Sequence, residues 1–371
     1  MKPDLITVAE VDLNALSFNY RGARRLAGRQ GVLMAVVKAD AYGHGMIRCA
    51  RHFERLGVEF LGVSDISEGI LLRDNGVKRP ILIFENTLKD QAGLLLKYRL
   101  TPTICTMSLA RDLNRYAQKK KKKIAVHIKV DTGMGRLGVW YKEAPAFIRK
   151  IKEMKHLKIE GVYTHFPVAD TDPKFTQTQI AQMRALIAEL NRQNIRIPYI
   201  HSSNSMGMAG YKCDIFNLAR PGLMLYGLYP GPQLKRKIKL KPALSVKSRI
   251  IFVKKLEKGQ GVSYGRTFIA RRNMTAATIP IGYNDGYFRA FSNKTSVLIG
   301  GVRCPVLGRV TMDQMVVDVS KVKTAKTGTE VVILGRQKNQ NVSAEELAAV
   351  AGTINYEIIC ALGGRLPKTY K

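Results

Sequence analysis

The stretch VLMAVVKADAYGHG, residues Val32 to Gly45, decides how the fold is read. Its opening run, Val32 to Val37, is apolar and typical of a strand buried on both faces of a parallel sheet. The run ends in Lys38, a residue whose charge is costly to bury. Lys38 is therefore either a surface charge where the strand reaches solvent or a functional amine at the end of a buried strand.

Further apolar runs alternate with helix-like segments as far as Pro230. These runs are FLGVSD, PILIFEN, LTPTICT, AVHIKVDTG, IEGVYTHF, IPYIHSSNS and ARPGLMLYG. With the first run they make eight β-α alternations over roughly 230 residues, which predicts an α/β fold of the TIM (β/α)8 barrel type. A doubly wound parallel sheet is the alternative.

The pattern changes from about Lys235 onward to strands and glycine-rich turns. The strand-like stretches are ALSVKSRIIFVKKL, TAATIPIGY, TSVLIGGVRCPVLG, QMVVDVS and TEVVILG. They predict a barrel domain over residues 1–235 and a mainly β domain over residues 236–371, and about the first ten residues could pair with the second domain. Near the end, Ser343 to Glu346 has the sequence of a capping box at the start of a helix.

The composition places the chain among ordinary globular proteins. It has 371 residues, 46% of them hydrophobic, and no apolar run approaches the ~18 residues of a membrane span. The first residues, MKPDLITVAEVDL, lack the apolar segment of a signal peptide. The five cysteines are scattered without a Cys-x-x-Cys pair and the six histidines are dispersed. We expect a cytoplasmic protein with no membrane partner and no metal.

The net charge is unusually positive. The sequence has 61 Lys and Arg against 28 Asp and Glu, a formal charge of +33. The densest runs are KKKKK at Lys119–Lys123 and KRKIKLK at Lys235–Lys241, and neither is interleaved with aromatic residues that could stack on bases. The sequence predicts non-specific binding of nucleic acid at low salt but no specific nucleic-acid partner.

Polar residues follow the predicted strands at their carboxyl ends, where a TIM barrel carries its active site. They are Lys38, Tyr42, Lys129, Asp131, Arg136, His165, His201, Ser203, Asn204, Ser205, Arg220 and Gly222. This cationic, hydroxyl-bearing set suits an anionic ligand such as a phosphate, with a lysine amine as the reactive group. Taken singly, His165 could be a core histidine, and Ser203 and Ser205 could be turn formers.

The motif VVKADAYGHG resembles the pyridoxal-phosphate attachment motif of alanine racemases. The resemblance covers nearly the whole chain. It continues in KVDTGMGRLGV, HSSNS, ARPGLMLYG, GVSYGRTF, GYNDGY and GRVTMDQ, which occur in the family's order. It implies that Lys38 carries pyridoxal 5'-phosphate and is released from it as a base when the substrate amine takes its place.

The resemblance also implies roles for other residues. Tyr42, Ser205, Gly222 and Tyr356 match contacts to the cofactor phosphate. Arg220 matches the residue that faces the cofactor's ring nitrogen, and His165 matches a residue that supports it. Arg136 and Met312 match substrate-binding positions, and Asp313 lies in the same pocket-closing loop as Met312. Lys129 matches a position that can carry a carbamate.

The implied reaction is the interconversion of L-alanine and D-alanine, which supplies D-alanine for peptidoglycan. It needs a base on each face of Cα: Lys38 on one, and Tyr264 of the partner subunit of a homodimer on the other. Without the resemblance, Tyr264 would be a turn tyrosine. The alternatives are a broader racemase, for example of serine, and a decarboxylase on the same architecture. Two further alternatives are a pyridoxal-phosphate carrier, which lacks a second domain, and a nucleic-acid-binding protein.

Overall fold

The computed structural model describes residues 5–28, 31–211 and 213–371. The chain divides into two compact units. One, here called the barrel unit, consists of Ser17–Ala41 and Met46–Leu240. The other, the β unit, consists of the residues up to Leu16, the short segment Tyr42–Gly45, and Lys241–Lys371.

The barrel unit is built on parallel strands. After β1 (Val8–Val11), which belongs to the β unit, its strands are β2 (Val32–Val36), β3 (Phe60–Val63), β4 (Ile81–Asn86), β5 (Thr101–Ile104), β6 (Ile124–Asp131), β7 (Val139–Trp140), β8 (Leu157–Tyr163), β9 (Tyr199–His201) and β10 (Leu218–Ala219). All but the short β7, which pairs with β6, follow the order β10-β2-β3-β4-β5-β6-β8-β9. Backbone hydrogen bonds from Asn217 N to Ile200 O (3.1 Å) and from Arg220 N to Ser203 O (2.8 Å) join the two ends. The predicted TIM barrel is confirmed.

Helices alternate with these strands. They are α1 (Leu13–Ala27), α2 (Lys38–Tyr42), α3 (Met46–Arg55), α4 (Ile66–Asp74), α5 (Ala92–Lys97), α6 (Met107–Lys119), α7 (Ala144–Lys152), α8 (Pro173–Arg192) and α9 (Ser205–Gly210). Of these, α2 is a short segment whose backbone is left-handed from Ala39 onward. Side-chain caps set several of their starts: Asp65 accepts from the backbone of Ser67 and Glu68, and Asp172 caps α8 just before Pro173.

The eighth barrel strand is much shorter than the sequence ARPGLMLYG predicts. It covers only Leu218–Ala219, and Leu223–Tyr226 form a 3-10 turn. Pro221 has no N–H to donate to a ladder, and its carbonyl accepts instead from Val36 N at 3.0 Å. The strand therefore ends where Arg220 begins.

The β unit contains most of the remaining strands, almost all antiparallel. They are β11 (Leu244–Arg249), β12 (Phe252–Leu256), β13 (Gly261–Val262), β14 (Phe268–Ile269), β15 (Met274–Ile279), β16 (Ser296–Ile299), β17 (Val302–Leu307), β18 (Met315–Asp318), β19 (Glu330–Gln337), β20 (Gln340–Val342) and β21 (Lys368–Tyr370). Together with β1, the larger sheet follows the order β12-β15-β18-β17-β16-β19-β11-β1-β21, with β20 on β19, while β13 pairs with β14. The prediction of a second, mainly β domain is confirmed.

The N-terminal strand β1 lies inside this sheet. It pairs antiparallel with β11, where Val8 stands opposite Lys247, and parallel with β21, where Ala9 stands opposite Lys368. Lys247 also forms an ion pair with Glu10 across the first of these pairings, at 3.0 Å. Of the residues that the sequence allowed to pair with the second domain, Met1 to Asp4 lie outside the described residues.

Two helices, α10 (Ala344–Ala351) and α11 (Asn355–Gly364), complete the β unit. The Ser343 hydroxyl caps α10 by accepting from Glu346 N at 3.1 Å, as the capping box predicts. The other half of the prediction is wrong, because the Glu346 carboxylate binds Arg303 at 2.6 Å instead.

The described part of the chain has no single helix with the length and apolar composition of a membrane span. The helices α10 and α11 pass that test only when taken together, and the chain bends by 104° between them.

Candidate active site

Lys38 stands at the carboxyl end of β2, at the start of a left-handed turn. The backbone φ angles of Ala39, Asp40, Ala41 and Tyr42 are all between 52° and 55°. A residue with a Cβ loses about 1–2 kcal/mol in this conformation. Four such residues in succession therefore need strong local support, and strain of this kind clusters at functional sites.

Glu68 provides that support from the start of α4. Its two carboxylate oxygens accept from Ala39 N and from Ser64 N, each at 2.7 Å. Asp40 in turn accepts from Met46 N, the first residue of α3, at 2.7 Å. Burial raises the pKa of Glu68, while these amide donors favour its charged form. The half-buried Lys38 is thus placed by a carboxylate that the sequence motif does not include.

Arg220 is the central cation of the barrel unit. It is 4% exposed and donates to His201 Nδ1 at 2.6 Å, Thr164 O at 2.8 Å and Ser202 O at 3.1 Å. The Nδ1 atom of His165, the predicted supporting residue, is 3.5 Å from Arg220 Nη2. His201 is therefore the closer histidine partner of Arg220.

An aromatic ring lies beneath the cations. Tyr163 has Lys129 Nζ 4.4 Å and Arg220 Cζ 5.1 Å from its ring centroid. The same ring stacks on His201, with the centroids 4.6 Å apart and the planes within 4°. Its hydroxyl is 2.7 Å from Thr103 Oγ1. Cation–π attraction offsets part of the cost of burying positive charge here.

Lys129, at 6% exposure, is the buried lysine of the site. Burial, with the nearby charges of Arg220 and Arg136, lowers its pKa well below the ordinary lysine value. The same charges and burial lower the pKa of His165, on which Lys38 also acts. Burial and the neighbouring cations thus both favour the neutral forms of Lys129 and His165, and an anion bound here would act in the opposite direction.

Arg136 is carried by a loop that Asp131 shapes. The Asp131 carboxylate accepts from the backbone amides of Gly133 at 2.8 Å and Met134 at 2.9 Å, and it also bonds to Gly135. This Asx-type turn orders the loop after β6 and leaves Arg136 exposed.

Ser205 and Gly222 lie together at the end of β10. The Ser205 hydroxyl is 3% exposed and accepts from Gly222 N at 3.2 Å and Met224 N at 3.3 Å. Because two amides donate to its oxygen, the hydroxyl proton is directed elsewhere. The pair therefore presents a donor of the kind that binds phosphate oxygens.

The β unit carries the other predicted site residues. The rings of Tyr42 and Tyr356 are 6.1 Å apart, and burial together with Tyr356 raises the pKa of Tyr42. The two predicted phosphate contacts of the β unit are therefore neighbours.

Tyr264 and Met312 are attached to one loop, Gly308 to Gln314, between β17 and β18. Ser263 donates to Arg309 O at 2.6 Å, which fixes the turn of Tyr264 to this loop. Backbone amides of the GYNDGY motif donate to Thr311 O and Met312 O at 3.0 Å each, and Asn284 Nδ2 is 3.4 Å from Asp313 Oδ1. Tyr264 is 72% exposed and Met312 53% exposed.

The predicted residues are divided between the two units. In the barrel unit they are Lys38, Lys129, Arg136, His165, Ser205, Arg220 and Gly222; in the β unit they are Tyr42, Tyr264, Met312, Asp313 and Tyr356. Sequence reasoning missed Glu68 and Tyr163, and it named His201 without giving it a role. Glu68 lies within a helix and Tyr163 within a strand, so no pattern marks them, whereas His201 ends a strand just before HSSNS.

Family models match both units of the chain. The model described as alanine racemase, N-terminal domain, matches residues 11–230, and the model described as alanine racemase, C-terminal domain, matches residues 243–370. The chain belongs to the alanine racemase family. Enzymes of this family are isomerases.

Full-length relatives support this membership. The alanine racemase of Halothermothrix orenii is 43% identical over 366 residues, which cover 98% of this chain and 97% of that protein. The alanine racemase of Carboxydothermus hydrogenoformans is 40% identical, with 98% of each chain covered.

Solved structures of the family are similar over the same length. The alanine racemase of Clostridium difficile 630 has a TM-score of 0.95 at 34% identity and covers 100% of this chain and 97% of its own. The alanine racemase of Bacillus anthracis with bound L-Ala-P has a TM-score of 0.92 at 31% identity, with 99% and 95% covered.

Proposed function

We propose that this member of the alanine racemase family interconverts L-alanine and D-alanine with pyridoxal 5'-phosphate. One observation carries the proposal. Lys38, on its strained turn, belongs to a group of buried or half-buried basic side chains at the carboxyl ends of barrel strands. That arrangement requires an anionic ligand and offers a lysine amine to it.

The residues present fit this cofactor. The Nη atoms of Arg220 are committed to His201 and to backbone carbonyls, while its Nε takes part in no hydrogen bond within the described residues. Since arginine only donates, it suits an unprotonated ring nitrogen as its acceptor. We propose Ser205, Gly222, Tyr42 and Tyr356 as the phosphate contacts, with the Gly222 amide orienting the Ser205 hydroxyl toward the phosphate.

Pyridoxal phosphate supplies an electron-withdrawing ring that acidifies the Cα–H bond of an amino acid attached to it. This chain's residues then have to move the proton. We assign Lys38 to one face of Cα and Tyr264 to the other, so that one removes a proton while the other delivers one. His165 supports Arg220, Arg136 and Met312 bind the substrate, and Asp313 supports the loop that carries Met312.

We further propose a homodimer in which each site combines Lys38 with the partner subunit's Tyr264. The exposure of Tyr264 supports this, because 72% of its surface is open in the single chain. A phenol that open would exchange its proton with water instead of returning it to one face of the substrate. Covering it with a second subunit removes that route.

The D-alanine formed would supply the synthesis of peptidoglycan. That synthesis consumes a D-amino acid, whereas the ribosome uses L-amino acids, so a separate enzyme has to provide it. The cytoplasm is the compartment we propose, since five scattered cysteines without a Cys-x-x-Cys pair are typical of a reducing environment. The partners we propose are the amino-acid substrate and a second copy of the chain, with neither a membrane nor a specific nucleic acid.

The direct test is to load the protein with pyridoxal phosphate and incubate it with each L-amino acid. Chiral chromatography should show D-alanine approaching equality with L-alanine, and comparable turnover of serine would indicate the broader racemase. Release of carbon dioxide in place of a D-amino acid would show a decarboxylase and overturn the proposal. Reduction with borohydride should leave the cofactor on Lys38 in a peptide map, and Lys38→Ala is the control.

A further inference from the structure

A chain of polar side chains runs through the buried interior of the barrel unit from Arg220 to Glu160. Arg220 Nη1 is 2.6 Å from His201 Nδ1, and His201 Nε2 is 2.8 Å from His127 Nδ1. The Nε2 atom of His127 is 3.6 Å from a carboxylate oxygen of Glu160, an electrostatic contact longer than a hydrogen bond. Both histidines are 0% exposed. We call these four residues the histidine chain.

The positions of the protons in the histidine chain follow from its first member. Arginine can only donate, so His201 Nδ1 must be an acceptor and, in a neutral ring, Nε2 must carry the proton. His127 Nδ1 then accepts, and His127 carries its proton on Nε2, facing Glu160. Burial lowers the pKa of both histidines, the nearby Arg220 adds to the effect, and contact with His127 lowers the pKa of Glu160. With both rings neutral, each N–H of the histidine chain points toward the next member, from Arg220 to His201, from His201 to His127 and from His127 to Glu160.

The backbone is shaped to hold this arrangement. Between β6 and β8, Val126 pairs with Ile159 and His127 with Gly161, so Glu160 is the extra residue of a β-bulge. A Cβ at Gly161 would lie 2.5 Å from His127 Nδ1 and Cε1. Only glycine leaves room for the ring there, and the bulge turns Glu160 toward it. Neither feature is needed for an ordinary parallel strand pair.

We propose that His127 and Glu160 are positioning residues that fix the proton order of the histidine chain and thereby hold Arg220 as a donor only. The inference deepens the proposed function, in which Arg220 faces the ring nitrogen of the cofactor. If the order reversed, His201 would direct an N–H at an N–H of Arg220, and the guanidinium would have to turn away. The negative end at Glu160 makes the observed order the favoured one.

The whole protein has six histidines, so selective ¹⁵N-histidine labelling gives a spectrum simple enough to assign. Two-bond ¹H–¹⁵N spectra, recorded with and without pyridoxal phosphate, report which ring nitrogen carries the proton. His201 and His127 should both be neutral Nε2–H tautomers in the wild type. An Nδ1–H tautomer at His201 in the wild-type protein would overturn the proposal without any variant.

Glu160→Gln then tests control from the far end. The carboxamide can donate to His127 Nε2, which favours the reverse order, so the signals of His201 should move toward a mixture of tautomers, with the effect of residue 160 passing through His127. Turnover should fall about tenfold with KM unchanged, the size typical of a supporting residue. Glu189→Gln, at a half-buried position near the end of α8 where the carboxylate pairs with Arg192, is the matched control and should change neither.

Wild-type signals for His201 in a folded Glu160→Gln protein would show that Glu160 does not set the order. The remaining histidines report whether the variant is folded. Failure of the racemase proposal would be recognised separately, because the wild type would then make no D-alanine while the tautomers stayed as derived.

Discussion

Among the predicted site residues, Tyr264 is the one whose position is least explained by packing within a single chain. It stands 72% exposed on a turn that Ser263 fixes to the backbone of Arg309. A tyrosine held in place yet open to solvent is what a base supplied to another subunit requires. Its removal should therefore stop proton transfer at one face of Cα and leave the binding of the cofactor unchanged.

We predict that Tyr264→Phe separates the two enantiomers of alanine in a deuterium-exchange experiment. Exchange at Cα in D₂O should survive for the enantiomer whose proton faces Lys38 and fall about 10²–10⁴-fold for the other, the usual effect of losing a general acid–base. Nuclear magnetic resonance of each enantiomer measures this directly. Tyr98→Phe is the control, and equal loss for both enantiomers would contradict the assignment of two bases.

Lys129 is a second residue whose surroundings predict its chemistry. Burial and two neighbouring arginines hold its pKa well below the ordinary value. Its neutral amine can add to carbon dioxide and release a proton, which gives a carbamate anion among the cations. We predict a carbamate signal on Lys129 in ¹³C spectra with labelled bicarbonate. A lowered pKa increases the neutral fraction of the amine that can form the carbamate, and acid protonates the amine and reverses the addition, so the signal should disappear on acidification. Lys142→Met is the control. A carbamate signal that remains in Lys129→Met and disappears in Lys142→Met would contradict the assignment to Lys129.

Among the elements, the left-handed turn after Lys38 shows the largest departure from what its residues prefer. Ala39 to Tyr42 favour right-handed or extended backbone. The left-handed turn is held because Glu68 accepts from Ala39 N and Asp40 accepts from the first amide of α3. Removing Glu68 should therefore release Lys38 from its position.

For Glu68→Ala we predict a loss of about 2 kcal/mol in unfolding free energy, since two amides lose a charged acceptor. Turnover should fall by more than this loss of stability explains, because the protein stays folded in the assay while Lys38 is displaced. Urea titration and the D-alanine assay measure the two effects. Glu153→Ala, at the exposed end of α7, is the matched control. An active, stable Glu68→Ala protein would contradict the role of the carboxylate.

Much of the fold could be predicted from the sequence, because hydrophobic periodicity reports burial directly. The strand-like runs of both units lie where the apolar residues place them, and the polar residues after the barrel strands share one end. The eighth strand was overestimated, since periodicity does not register the missing N–H of Pro221.

The remainder depends on contacts between distant segments. Nothing in VVKADAYGHG indicates four left-handed residues, because their cause is Glu68, on another helix. The bulge at Glu160 and the contact between His127 and His201 likewise follow from how strands register, which one sequence does not display. The partner of Glu346 was missed for the same reason, as Arg303 is 43 residues away.

At the scale of the whole molecule, the positive charge lies partly at the opposite end of the barrel strands from the candidate site. Lys119–Lys123 run from the last residue of α6 to the start of β6, and all are exposed. In a barrel this is the face associated with stability and not with catalysis.

We predict that replacing Lys119–Lys123 with glutamine leaves racemase turnover nearly unchanged and weakens nucleic-acid retention at low salt. The slope of log affinity against log salt should decrease in magnitude by up to roughly 4.5, about 0.9 for each of the five lost contacts. Filter binding at several salt concentrations measures it, and an arginine version of the same segment, with its charge kept, should bind like the wild type. A large loss of turnover in a correctly assembled protein would show that this face contributes to catalysis.

The proposed homodimer joins two chains that each carry a formal charge of +33, so its assembly should strengthen as salt screens their repulsion. The central claim is that each active site takes Lys38 from one chain and the partner subunit's Tyr264 from the other. Lys38→Ala and Tyr264→Ala should each be nearly inactive alone. In a hybrid dimer one site receives both defects, while the other receives neither.

Complementation between these two variants is the most direct measurement. Equal amounts are mixed and allowed to exchange subunits at several salt concentrations, with light scattering and two distinguishable tags to establish that hybrids form. Random pairing makes half of the dimers hybrid with one intact site of two, so we expect recovery of roughly a quarter of wild-type activity. Hybrids that form and show no activity above the separate variants would contradict it.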